Sequence, residues 1–156
     1  MNASPPADLA IFDDVLRRHG VAAALGRLNA RVPHRYTAVY RLDSGKLKNL
    51  FLHDKTGQAR PEYLAEVDLG TSFCQFVLRD GFFKTENSAT DTRLDGHPYQ
   101  GVMVSYHGVP LLDNSGELFG SLCHFDTEER GLSSVEFDFL QQAARVLPGY
   151  VVKPGT

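Results

Sequence analysis

The chain has no tryptophan, only two cysteines and two methionines, and no surplus of basic residues: 16 Lys+Arg stand against 19 Asp+Glu in 156 residues, a net charge of -3. Each scarcity excludes something. Without a basic surplus there is no positive field of the kind that phosphate backbones and anionic membranes attract, so neither nucleic acid nor a membrane surface is an expected partner. Cys74 and Cys123 are too few for a disulfide scaffold in a domain of this size. No CxxC spacing and no HxxxH pair occurs, so no metal is expected. No apolar run approaches the roughly 20 residues of a membrane span. Met1 to Ala10 lacks the basic region and apolar stretch of a secretory leader. A cytoplasmic location is therefore expected, with both thiols reduced. Low-complexity tracts and like-charge blocks are missing too.

What is present is an ordinary globular mixture, 42% hydrophobic and 22% charged, in a length that suits one domain. The expected division is an N-terminal segment and helix over 1–19, a domain body over 20–147 and a tail over 148–156.

After a loose start through Asn2 to Pro6, Leu9, Phe12, Val15 and Leu16 recur at helical spacing and Gly20 stops them. Val21, Leu25, Leu28 and Val32 repeat the pattern up to Pro33, which a helix cannot accommodate. Tyr36 to Leu42 and Leu47 to Leu52 flank Asp43-Ser44-Gly45 and predict a hairpin. Thr56 to Leu69 reads as a connection. Thr71-Ser72 opens a short helix through Phe73, Phe76 and Val77, closed by Gly81. A brief strand over Phe82 to Thr85 leads into a polar loop, Asn87 to Gln100. Val102 to Leu112 and Leu118 to Phe125 form a second hairpin around Asp113-Asn114-Ser115-Gly116. Ser133 and Glu136 have capping-box spacing, with Leu132 and Phe137 as a hydrophobic staple, and start a last helix through Phe139, Leu140, Ala143, Ala144 and Leu147. Antiparallel hairpins without strict strand–helix alternation make the class α+β around one antiparallel sheet.

Five blocks stand in a telling order: Ser72-Phe73-Cys74; Asn87 to Leu94; Ser105 to Leu111 (SYHGVPL); Gly116 to Asp126 (GELFGSLCHFD); and Arg130-Gly131-Leu132-Ser133. Together, over about residues 20 to 147, they resemble bacterial GAF domains. The resemblance implies a GAF/PAS-like architecture: an antiparallel sheet of about six strands, with N- and C-terminal helices on one face and a loop- and helix-covered pocket on the other. It also implies a small-molecule ligand, and a homodimer through the terminal helices, for which the stripes Val21, Leu25, Leu28 and Phe139, Leu140, Leu147 are candidates unless they cover their own sheet.

The pocket candidates are Phe73, Cys74, Thr85, Asn87, Asp91, Arg93, Ser105, Ser121 and Cys123. Strand alternation groups Met103, Ser105 and His107 apart from Val102, Val104 and Tyr106. It likewise groups Phe119, Ser121, Cys123 and Phe125 apart from Leu118, Gly120, Leu122 and His124. Ser105, Ser121 and Cys123 on one face would offer hydroxyls and a thiol to an apolar cavity. Asp91 and Arg93, two apart in a loop, suit internal pairing as well as ligand contact. Cys74 near a helix start has reason to be a reactive thiol, and Cys123 to be plain packing. Cys123 and His124 cannot form a dyad, because strand neighbours point to opposite faces. Gly108 before Val109-Pro110 suits a bulge or strand exit; Gly116 suits a turn and Gly120 a close approach within the sheet. The six histidines are scattered and suit solvated or core roles, with haem ligation by one of them open.

Some GAF proteins reduce methionine sulfoxide with cysteines and others attach bilins through one; neither pattern is clear here. Cyclic-nucleotide binding goes with an Asn-Lys-Phe and Asp-Glu signature, of which Phe125-Asp126-Thr127-Glu128 is a fragment. No cofactor is named. No nucleophile, base and orienting group stand at compatible spacings. The expected function is a non-enzymatic sensory or regulatory module that binds an unidentified small molecule and signals to another protein in trans. The alternatives are a thiol-dependent enzyme of the methionine sulfoxide reductase kind, acting through Cys74 or Cys123, and a ligand-free dimerisation or interaction domain.

Overall fold

The computed structural model describes residues 6–151. The loose start expected before Pro6 and the last part of the expected tail, 152–156, lie outside them. Helix α1 spans Pro6–His19, with Asp8 in its first turn and Arg17, Arg18 and His19 in its last, charges that complement the helix dipole. Gly20, at φ 90, takes a conformation that only glycine adopts without strain and turns the chain straight into α2, Val21–Asn29. Helix α3 spans Cys74–Asp80 and ends at Gly81, whose φ of 85 closes it in the left-handed manner expected. Helix α4, Ser134–Val146, starts where the capping box places it, with Ser133 Oγ accepting from the Glu136 N–H at 3.2 Å. The reciprocal half of the box is spent elsewhere. The Glu136 carboxylate accepts from Arg31 Nε at 2.7 Å and Nη2 at 3.2 Å instead. Pro148–Val151 forms a short α5 where the tail was expected to begin.

Strands β1 (Tyr36–Asp43), β2 (Lys46–Asp54), β3 (Glu66–Asp68), β4 (Phe83–Thr85), β5 (Ser105–Leu112) and β6 (Leu118–Asp126) form one antiparallel sheet in the order β3-β2-β1-β6-β5-β4. The α+β class and both hairpins are as expected from the sequence. β3 is new. It arises inside the segment read as a connection, because three residues pairing with β2 are too few to show a period. β5 begins at Ser105 rather than Val102, since residues 101–103 belong to a turn.

Both faces of the central strands are covered. On one face Val39, Val109, Leu111 and Leu122 pack beneath α1, α2, α4 and α5, whose Phe12, Leu16, Leu25, Leu28, Phe139, Leu140 and Leu147 complete that core. The stripes that were candidates for a dimer are thus spent inside the chain: Leu25 and Leu140 are 0% exposed. A second copy meeting the terminal helices would have to use their outer sides. On the other face Tyr36, Ala38, Tyr40, Tyr106, Cys123 and Phe125 pack beneath α3 and the turn at Glu62–Leu64. Among the described residues no helix is long and apolar enough to cross a membrane.

Two irregularities set the registers. Between Val39 and Tyr40 the partner in β2 jumps from Phe51 to Asn49, leaving Leu50 unpaired, and the Asn49 side chain donates to the Val39 and Phe51 carbonyls. Between Leu111 and Leu112 the partner in β6 jumps from Gly120 to Leu118, leaving Phe119 as the extra residue. Gly120 beside it has the close approach expected: a Cβ there would run into the Tyr40 carbonyl. Gly108 is neither bulge nor strand exit, for it sits within β5 opposite Cys123. A Cβ on it would lie 2.6 Å from Tyr106 Oη, so the missing side chain leaves room for the Tyr106 ring.

Gly120→Ala is therefore expected to lower unfolding free energy by about 2 kcal/mol or more, because backbone must move. Gly149→Ala, where a Cβ meets nothing within 4 Å, serves as the near-neutral comparison. Urea denaturation of both variants reads the difference.

Candidate functional site

The covered face of the sheet carries a cavity of about 60 Å³ beside α3, the 62–64 turn and β3. Tyr40, Leu47, Tyr106, Cys123 and Phe125 form its floor, Ser72, Phe73 and Cys74 one wall, and Tyr63, Leu64, Val67, Tyr99 and Met103 the rest. No lining side chain is Asp, Glu, Lys, Arg or His. Its polar groups are hydroxyls and thiols. Tyr40 Oη donates to the Leu64 carbonyl at 2.8 Å, tying the 62–64 turn to the sheet. Burial pushes the Tyr40 and Tyr106 hydroxyls well above their ordinary range, so both stay protonated donors.

The two cysteines meet here, and both are free thiols. Ser72 Oγ accepts from the Gln75 N–H and seats the start of α3, which aims Cys74 and Val77 at the sheet. Cys74 Sγ lies 3.0 Å from Tyr106 Oη and 3.3 Å from Ser121 Oγ. The neighbouring Cys123 thiol, then Ser121, Tyr106 and its own backbone amide, outweigh burial and hold Cys74 at about 7. Cys123, whose Sγ points to the Ala38 carbonyl at 3.8 Å, is pushed up by burial. Gly108 belongs to this construction: the Tyr106 ring lies over it, and the Tyr106 hydroxyl extends from there to Cys74.

Of the nine residues singled out in the sequence, Phe73, Cys74 and Cys123 line the cavity and Ser121 bonds Cys74 from its edge. Thr85, Asn87, Asp91 and Arg93 line a separate, open groove along the outer loop. There Asp91 accepts from Arg93 Nε at 2.9 Å and Nη2 at 2.6 Å, and Arg93 donates to the Lys84 carbonyl at 2.8 Å. That pairing, with a bond from Thr85, holds the Asp91 carboxyl at about 2. The loop is locked by internal pairing, and Asn87 caps it by accepting from the Ala89 N–H. Ser105 lies on the opposite face of the sheet, opposed to Asp126. Tyr40 and Tyr106, which the sequence reading did not single out, supply cavity hydroxyls. Counting back from the Asp113–Gly116 turn would have found Tyr106 only with the extra residue Phe119 known.

The helix-covered face carries a second polar group, also missed in the sequence because its members are 17 to 90 residues apart. His34, His107 and His124 are all buried. His34 Nε2 lies 3.0 Å from His107 Nδ1, and His107 is opposed to His124 in the β5–β6 ladder. Asn29 Nδ2 donates to the His34 carbonyl at 3.0 Å and to Thr37 Oγ1 at 2.8 Å, and Thr37 Oγ1 shares a hydrogen bond with His124 Nδ1 at 2.7 Å. Lys55 Nζ caps Asn29 from outside at 2.6 Å. His34 Nδ1, His124 Nε2 and Ser105 Oγ are buried with no partner among the described residues. Burial holds His34 at about 4 and His107 at about 3, and places His124 well below the ordinary histidine range. Lys55, Lys84 and Arg130 lower these values further, and Asp126 opposes them at His34. Cys123 and His124 do point to opposite faces, one into each group.

Comparison with solved structures finds the same fold. The GAF domain of an Acinetobacter phosphoenolpyruvate-protein phosphotransferase is similar at a TM-score of 0.74 and 14% identity, over 96% of this chain and 95% of its own. The type II free methionine-R-sulfoxide reductase of Thermoplasma acidophilum is similar at 0.67 and 20% identity, over 90% and 94%. The free methionine-R-sulfoxide reductase of Neisseria meningitidis, solved with its substrate, is similar at 0.69 and 18% identity, over 95% and 91%. No protein-family model matches the chain, and no curated protein matches it in sequence.

Three imidazoles that bind protons in the unfolded chain near pH 6.5 but not in the folded one make stability present above that pH and lost as pH falls toward about 4. Each costs about 1.4 kcal/mol per pH unit in that window. His124→Asn, which keeps a partner for Thr37, is expected to make the slope shallower by about a third. Urea melts from pH 8 to pH 4 measure it, with pH 8 as the reference for intrinsic damage.

Proposed function

We propose that this chain, which has the GAF fold, is a sensory module whose cavity beneath α3 takes a small, uncharged, largely apolar molecule bearing a ring. One observation carries the reading: the cavity is walled by aromatic and aliphatic side chains, offers hydroxyls and a thiol, and has no charged side chain to balance an ionic ligand. The cavity, about 60 Å³, is far below the roughly 150 Å³ that accommodates benzene in an apolar core. A ligand therefore has to displace the cover, namely the 62–64 turn, β3 and the start of α3. That displacement is the signal, read by a partner protein in trans.

A hundredfold excess of ligand over Kd stabilises the folded state by about 2.7 kcal/mol and raises Tm on the order of 5–10 °C. Indole and simple alkylbenzenes are the probes. They are expected to raise Tm in the native chain and not in Val67→Phe, which fills the cavity from β3. No response to any probe, or an equal response in Val67→Phe, overturns the reading.

The pair of thiols on one cavity favours a second reading, sulfoxide reduction through Cys74. Two of the similar structures are free methionine-R-sulfoxide reductases. Free methionine sulfoxide, however, carries an ammonium and a carboxylate, for which the cavity wall has no partner. With dithiothreitol as reductant, turnover of free methionine sulfoxide is expected to be no greater than in Cys74→Ser. Turnover abolished by Cys74→Ser would establish the second reading over the first.

A further inference from the structure

Cys74 and Cys123 come from elements 49 positions apart in the chain, yet α3 packs directly on β6 and both thiols face the same cavity. Their surroundings divide the labour of a two-step oxidation. Cys74 has two hydroxyls at hydrogen-bond distance, Tyr106 at 3.0 Å and Ser121 at 3.3 Å, which favour its thiolate form. Cys123 has a carbonyl beside it and is pushed up by burial, so it keeps its proton. The cavity of about 60 Å³ exceeds the roughly 10–15 Å³ that one water needs and falls far below the roughly 150 Å³ that accommodates benzene. Hydrogen peroxide, two oxygen atoms without charge, lies between those limits, whereas bulkier oxidants need the cover open.

We propose that Cys74 and Cys123 form a peroxide-reading site, in which hydrogen peroxide entering the cavity oxidises Cys74 and Cys123 then closes an intramolecular disulfide between α3 and β6. The proposal rests on the cavity being the site that admits small molecules. In the first step the Cys74 thiolate attacks one peroxide oxygen and the O–O bond breaks. The leaving oxygen takes a proton from the Tyr106 hydroxyl side, replenished from solvent, and departs as water, leaving Cys74 sulfenic acid. In the second step Cys123 sulfur attacks Cys74 sulfur, the S–O bond breaks, and the hydroxyl leaves as water with the Cys123 proton. Two thiols lose two electrons, and one peroxide becomes two waters. The bond pins the start of α3 to the sheet, so the oxidised protein is locked against ring-bearing ligands.

The test is peroxide titration of the native chain, read by intact mass and peptide mapping. The expected result is loss of two hydrogens, mapped to a Cys74–Cys123 link and reversed by dithiothreitol. Cys123→Ala should stop at a Cys74 sulfenic acid captured by dimedone, and Cys74→Ser should leave Cys123 unmodified. Indole-induced thermal stabilisation should be lost in the oxidised protein and return on reduction. Thiols inert to peroxide in the folded protein but reactive in urea overturn the proposal, as does a disulfide joining two copies or a sulfenic acid on Cys123 in Cys74→Ser. Indole binding without any disulfide refutes the redox site alone. A disulfide in a protein that binds no ring-bearing probe refutes the ligand reading and supports the peroxide chemistry.

Discussion

The β5–β6 hairpin carries one residue too many on its second strand, and the extra residue, Phe119, decides which side chains face which way. Without it, the pairing of Leu112 with Leu118 would continue as Ser105 with Phe125 and His107 with Cys123. With it, Tyr106 opposes Phe125, Gly108 opposes Cys123 and Pro110 opposes Ser121, while Ser105 and His107 oppose Asp126 and His124. A shift of one residue exchanges the faces of a strand relative to its neighbour. The thiol and hydroxyl group of the cavity and the histidine group beneath the helices are both products of that shift. Gly120 is what lets the shifted strand sit against β1, because any side chain there would meet the Tyr40 carbonyl.

The two faces of the sheet are held with unequal strength, and that inequality is what makes one of them a candidate site. The helix layer is fastened at several points. Arg31 bonds Glu136 at the start of α4 and Asp8 at the start of α1, and lies 3.8 Å above the Phe139 ring. Asp126 joins the Arg35 amide, the Glu128 amide and the Arg130 side chain, fixing the end of the β1–β6 pair where β1 begins and β6 ends. The cover of the cavity has less: the three-residue β3, the hydrogen bond from Tyr40 to Leu64, and the seven-residue α3. Segments with few buried contacts and short ladders open at lower free energy than the body they rest on.

Much of the fold was legible because its signals are local. Gly81 closing α3, Ser133 opening α4 and the two hairpin turns each act within a few residues, and each appears where the sequence put it. The outer loop was legible in part: Asp91 and Arg93 pair with one another, as two such residues two apart in a loop can. What escaped was non-local. β3 pairs with too few residues to show alternation, the Glu136 carboxylate was claimed by Arg31 from 105 positions away, and three histidines with no shared spacing converge beneath α2.

Composition and local pattern by themselves determined the α+β class, the order of helices and hairpins, and the presence of Phe73 and Cys74 on a short helix suited to covering a sheet. Those properties depend on propensity, capping and turn chemistry, which act along the chain. Tertiary structure alone decided that Cys74 meets Cys123, that Tyr106 rather than Ser105 faces them, and that the apolar stripes of the terminal helices are spent inside the chain. The physical reason is register: a single unpaired residue in β6 changes no local preference, yet it reassigns every side chain of β5 to the opposite face relative to its partner.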